Sequence, residues 1–340
     1  MAPFHLYYRF SLRRLTAVVA PTVVCLAGMG AGLHVAEVLG RLPAPAPGLN
    51  LDRTIVTHQA RASRAKSDAR ILVVGDCTAL CGVDALTLSE HLPGRPPVLN
   101  LSLFGGMNLS VYGDEVERFA AANPGQVRSV VLLLSPAKLA GKWVETPDAW
   151  SEAIRHRDRS PGECLASIRA DWVGARLMRE NLLSYMLDSP LKEKGGTLLG
   201  FGSMVDTYLS LHRGSCVALG EMAQPRTRGR PLPEVFSPRL LQPKFEAQSC
   251  AFRATIPRGA KLFVGLTPSP EASMARPVAR QQHVDLLQRW NAWLQADGVL
   301  TNLPATLPPG DFAFPEHLNQ AGQKYFSTKA ARELTQCSDF

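Results

Sequence analysis

Cys77 is the residue whose type and position most readily do chemistry. It follows Gly75-Asp76 at the end of the apolar run 71–74 and precedes the helix-like stretch TALCGVDALTLSEHL. The thiolate is the reactive form of cysteine, and its ordinary pKa of about 8.5 falls at a helix N-terminus or beside a histidine. Acyl transfer through a thioester is the natural reaction of such a group. Other polar residues rank below it. His283 lies on the amphipathic stretch QQHVDLLQRWNAWL and reads as a surface or half-buried helix residue, while Trp290 and Trp293 read as core packing. His156 and His212 have no clustered ligands, and the CxxxC spacing of Cys77 and Cys81 is not a zinc spacing, so neither metal nor cofactor is expected. In an oxidising compartment Cys216 and Cys250 could bridge, but spacing alone does not settle connectivity.

The elements that must position these residues follow from apolar patterning. Strand-like runs fall at 71–74, 98–103, 129–134, 261–266 and 298–303. Helical patterns fall at 84–91, 111–122, 171–187, 279–296 and 319–335. Strands alternating with helices predict an α/β fold, a doubly wound, flavodoxin-like parallel sheet of about five strands, over residues 71–340. Ligands in such sheets bind outside the carboxyl ends of the strands. The stretch 143–248 exceeds a normal crossover and is expected to be a helical insertion.

Ahead of this domain, residues 15–33 carry no charge and are long enough to cross a bilayer. Arg9, Arg13 and Arg14 precede them, which places residues 1–14 in the cytoplasm and the main domain in the periplasm or another extracytoplasmic space. The expected organisation is a transmembrane anchor at 15–40 and a Pro/Ala-rich, then basic, linker at 41–70. A cleaved signal peptide, with weak cleavage candidates around Ala27, Met29 and Ala31, and a buried core helix are the alternatives. The net charge of +8 is compatible with anionic partners. No Cys/His finger, basic zipper helix or aromatic RNA-binding motif is present, so nucleic acid is not an expected partner.

After its strands the chain reads Gly75-Asp76-Cys77, NLSLFGG at 100–106, SPAKL at 135–139 and PEHLNQAG at 315–322. In this order the blocks resemble those of the SGNH (GDSL-type) hydrolases. That family carries Gly-Asp-Ser after the first strand, a Gly after the second, an Asn after the third, and Asp-x-x-His-x-x-x-x-Gly near its end. The resemblance covers about 71–334 apart from the insertion and is most specific at His317-Leu318-Asn319 with Gly322. The layout looks most like the membrane-anchored branch that acylates cell-envelope polysaccharides, the alginate O-acetylation and DltD-like proteins.

The resemblance implies roles residue by residue. Cys77 stands in the nucleophile's place, His317 in the base's, and the backbone N–H groups of Cys77 and Gly105 in the oxyanion hole's. Ala137 stands where the family has Asn, and Phe314 where it has Asp. Asp311 is then the candidate to orient His317. The implied partners are the lipid bilayer, an envelope polysaccharide and a membrane-bound O-acyltransferase. Two main functions are expected, beside a third, a hydrolase for small esters with an unrelated role. One is an esterase or acyltransferase working through a Cys77–His317 thiol dyad. The other is an inactive SGNH-fold binding or scaffold partner of the membrane acyltransferase. In the second, Cys77 is a small buried residue with Cys81 as its disulfide partner, and Asp76 is merely a helix cap.

Overall fold

A computed structural model describes residues 15–25, 28, 32, 51–141, 207–216, 241, 243–271, 280–314 and 316–337. The chain divides into two compact units, 1–46 with 155–195, and 47–154 with 196–340. In the first, residues 15–25 are helical and Val18, Val19, Val23 and Val24 are exposed. Among the described residues no helix is long and apolar enough to cross a membrane. Much of the expected anchor at 15–40, and most of the expected insertion with its helix 171–187, lie outside those residues.

The second unit is built on a five-stranded parallel sheet in the order β2-β1-β3-β4-β6. The strands are β1 Ile71–Gly75, β2 Val98–Asn100, β3 Ser129–Leu134, β4 Lys261–Leu266 and, after the short β5 Ser269–Pro270, β6 Gly298–Val299. All four sheet pairings are parallel. Strand order reverses between β1 and β3, and the crevice at that reversal is where open α/β sheets bind ligands.

The two-residue period of the strands feeds two separate cores. Leu72, Val74, Val130, Leu132, Leu262 and Val264 point into one. It is completed by α4 Leu109–Ala122, α6 Lys244–Ala254 and α7 Arg280–Leu294, with Phe119, Phe252 and Trp290 fully buried. Ile71, Val73, Val131, Leu133 and Phe263 point into the other, against α3 Ala85–His91 and α8 Gln320–Cys337. Helices therefore cover both faces, as continuous apolar strand runs require.

Three expectations are corrected. Residues 51–62, inside the expected linker, form the helix α1 Leu51–Ala62. Its basic residues suggested a solvated tether, yet Ile55, Val56 and Gln59 recur on one face and are buried. The expected strand 98–103 is regular only to Asn100, although Leu101 and Leu103 still donate to Val73 and Gly75 carbonyls. His283, expected near the surface, is buried; loss of hydration, with Arg280 adding to it, lowers its pKa to about 4.

The described piece of the insertion, 207–216, docks beside β2. The Asn100 amide donates to the Arg213 carbonyl at 2.9 Å. Gly214 has φ +84°, and a Cβ there would stand 2.0 Å from the Asn100 carbonyl oxygen, so only glycine fits this approach. Gln59 Nε2 donates to the Gly214 carbonyl, and Arg213 pairs with Asp68.

Candidate active site

The turn after β1 is as tight as the sheet permits. A Cβ at Gly75 would meet the Leu133 carbonyl oxygen at 1.9 Å, which explains the glycine without reference to chemistry. Asp76 then caps α2 Cys77–Gly82. Its fully buried carboxylate accepts from the Thr78 amide at 2.9 Å, the Thr78 hydroxyl at 2.5 Å and the Ser135 amide at 2.8 Å. Thr78 Oγ1 in turn lies 2.6 Å from Thr267 Oγ1, at the end of β4. One carboxylate thus ties together the ends of β1, β3 and β4.

Cys77 is 7% exposed beside this network. Burial, then the Asp76 charge and more weakly that of Glu316, push its thiol up to about 12, against the opposing pull of the Gly105 amide and Lys138. The lowered thiol expected from a helix N-terminus is therefore corrected. The helix is short, and its positive end is occupied by the Asp76 carboxylate, which stands beside the sulfur. At pH 7 such a thiol is ionised about once in 10⁵ molecules, roughly a thousandfold less than an ordinary cysteine.

Gly105 does sit at the sulfur, and its N–H donates to Cys77. The loop that carries it is held by Lys138, a residue the sequence reading passed over. Lys138 is 3% exposed, donates to the Gly105 carbonyl at 2.6 Å and the Met107 carbonyl at 2.5 Å, and lies over the Tyr112 ring. Its signal was a lysine inside the otherwise apolar SPAKLAG. Ala137, at the family's Asn position, is buried in the first core on α5 Pro136–Leu139 and offers no donor side chain.

His317 arrives on an antiparallel hairpin, β8 Phe312–Phe314 with β9 His317–Leu318, which follows β7 Thr306–Leu307 and a 3₁₀ turn at Pro309–Asp311. Phe314 is the cross-strand partner of His317. β9 packs against α2, which brings His317 toward the Cys77 turn. Burial lowers the His317 pKa, and the charge that opposes this is Asp76's. Asp311, the residue expected to orient His317, closes the 3₁₀ turn ahead of the hairpin, and its carbonyl accepts from the Asn319 amide at 2.9 Å, while the charge that raises the His317 pKa is that of Asp76.

Glu316, the residue before His317, is drawn into the site. Burial, then Asp76, raises its carboxyl to about 7, and its Oε2 is buried without a hydrogen-bond partner among the described residues. The motif that carried the resemblance most specifically has a structural explanation of its own. Asn319 Oδ1 accepts from the Gly322 amide at 3.0 Å, opening α8, while its Nδ2 donates to the Gly310 carbonyl. A Cβ at Gly322 would lie 2.3 Å from the Asp311 carbonyl oxygen.

The structure thus brings Cys77, Gly105, Glu316 and His317 to one end of the sheet and leaves Ala137 in the core. A groove of about 810 Å³ lined by Arg70, Arg128 and Lys261 opens at the opposite, amino-terminal ends of the strands, away from these groups. Among the described residues no cluster of side chains could hold a metal ion. Comparison with protein families, with curated proteins and with solved structures returns no match.

Proposed function

We propose that this chain is an SGNH-like, membrane-anchored protein of an extracytoplasmic space that serves the acylation of an envelope polysaccharide as a binding or scaffold partner of a membrane-bound O-acyltransferase. One observation carries the non-catalytic half: the Cys77 thiol is buried and pushed up to about 12. A nucleophile needs its thiolate, and here burial and the Asp76 and Glu316 charges outweigh the opposing pull of Gly105 and Lys138. The polar groups of the Asp76 turn are committed to holding strand ends together. The resemblance of the blocks and the uncharged run at 15–33 support the envelope setting.

The decisive experiment compares the polysaccharide's acyl content in three strains. Deleting the protein lowers it, whereas Cys77→Ala and His317→Ala leave it intact. A Cys77→Ala strain that loses as much as the deletion overturns the scaffold reading and favours the thiol dyad. The observation on that second side is the Gly105 N–H directed at the Cys77 sulfur. Acyl content untouched by deletion removes the role in acylation altogether. Protease treatment of spheroplasts tests the placement: the main domain is digested from outside and the anchor stays with the membrane.

A further inference from the structure

Cys81 and Cys216 are distant in sequence and adjacent in the fold. Cys81 lies on α2, one turn beyond Cys77, and Cys216 ends the docked segment 207–216. The Cys216 amide donates to the Leu80 carbonyl at 3.0 Å, which fixes its backbone against that helix. Ser215 Oγ accepts from the Ala85 amide at 3.0 Å, and the bonds of Gly214 and Arg213 hold the preceding residues. Both cysteines are buried in one small apolar cluster with Ile55, Leu80 and Leu209. Their thiols share a hydrogen bond, a contact that keeps the Cys81 proton in place.

The other pairings are disfavoured by geometry. Cys77 and Cys81 are four apart on a helix, where Cβ atoms stand about 5–6 Å apart. A disulfide needs them at about 3.5–4.5 Å, so that link would require unwinding α2. Cys250 is exposed on α6, its sulfur against the Trp293 carbonyl at 3.7 Å, on a helix that serves the other core. The bridge from Cys216 to Cys250, and that from Cys77 to Cys81, are thereby both displaced.

We propose that Cys81 and Cys216 form a disulfide that staples the return of the insertion to the helix carrying Cys77. The exported location proposed above supplies the oxidising setting; the pairing itself rests on the fold. The oxidant is a disulfide, carried by a thiol–disulfide oxidoreductase or by glutathione. One cysteine thiolate attacks it, forming a mixed disulfide and releasing one thiol of the oxidant. The second thiolate then displaces the other. Two electrons pass to the oxidant, two protons leave the cysteines, and the oxidant departs as two thiols. Because both sulfurs are buried in the folded chain, the exchange occurs during folding, before Cys216 docks. The bond closes a loop of about 135 residues, and long loops lose the most chain entropy when closed.

The test refolds the full chain in detergent micelles with glutathione and glutathione disulfide. Free thiols are alkylated in denaturant before reduction, and peptides are mapped by mass spectrometry. The expected product links the Cys81 and Cys216 peptides, and reduction lowers the melting temperature by about 5–10 °C. Cys81→Ser and Cys216→Ser each abolish the link and the shift, while Cys250→Ser changes neither. Mapping the unsubstituted chain keeps the result readable if a variant fails to fold. Recovery of both residues as free thiols after oxidative refolding, or of Cys81 joined to Cys77, overturns the proposal. A link that forms in vitro, with both thiols reduced in protein isolated from cells, upholds the pairing and counts against export instead.

Discussion

Two turns lead into helices around the candidate site with the same device and very different surroundings. At the first, Asp76 caps α2 with a carboxylate buried completely and bonded to two backbone amides and a hydroxyl. At the second, Asn319 caps α8 from a partly exposed position, behind a hairpin whose Glu316 carboxyl is raised to about 7. The first turn spends its polar groups on strand ends. The second leaves titratable groups in strained ionisation. The difference teaches that sequence blocks of similar look divide here into a structural lock and a hairpin whose charge state responds to pH.

The lock gives the largest predicted effect. Asp76→Ala strands the Ser135 and Thr78 amides in the interior, each costing about 1–3 kcal/mol, and removes the tie between β1 and β3. The expected loss is about 3–5 kcal/mol, read as a lowered urea midpoint at unchanged slope. A loss under about 1 kcal/mol would mean that the turn is not a lock. Lys138→Met comes next. It removes two bonds to the Gly105 and Met107 carbonyls, but also a buried ammonium whose desolvation already costs stability. The net loss is about 1–3 kcal/mol, and amide exchange quickens at 105–108. Unchanged exchange there would show that Lys138 does not hold the loop.

How much of this was legible in the sequence follows from the range of each interaction. Gly75, Asp76, Asn319 and Gly322 stood out through the resemblance of their blocks. The caps of Asp76 and Asn319 act over two or three residues and demand particular types, whereas the close approach that requires Gly75, to the Leu133 carbonyl, does not show in the sequence. The five strands stood out because runs such as 129–134 are apolar on both faces. Lys138 and Glu316 did not, since their burial is set by a loop some thirty residues away and by the Asp76 turn across the fold. The Cys81–Cys216 contact was hidden for the same reason. α1 was missed because Arg61 in its last turn and Arg64 just beyond it masked the buried face of Ile55 and Gln59. The blocks reported the shape of the site; of the charges that act on Cys77, Asp76 is its sequence neighbour, whereas Glu316 and Lys138 are brought there by the fold.

The hairpin is probed through pH. A carboxyl raised from its usual value of 4.5 to about 7 binds a proton in the folded chain that the unfolded chain has lost. Its contribution is fully present below about pH 4.5 and is lost as pH rises through about 7. Glu316→Gln removes the penalty, so stability at pH 8 rises by about 3 kcal/mol, with no gain at pH 4. Urea melts across that range give the slope. A variant no more stable than the parent at pH 8 would show that Glu316 ionises there without cost. His317 acts in the opposite sense: its lowered pKa makes its contribution fade as pH falls below about 6.5, so the Glu316 effect is cleanest above pH 7.

The smallest effect closes the comparison because it isolates burial from chemistry. Asn319→Ala removes a side-chain cap of the same kind as Asp76, with one bond to the Gly322 amide and one to the Gly310 carbonyl. Ordinary N-caps are worth about 1 kcal/mol, since water satisfies the amides that are freed. Asn319 is partly exposed, so the expected loss is about that amount, with the Cys77 thiol left as unreactive toward iodoacetamide as before. Asp76→Ala should cost several times more, because the amides it frees have no water to turn to. Equal costs for the two substitutions would place the same solvent at both turns, and the distinction between a lock and an open hairpin would fall.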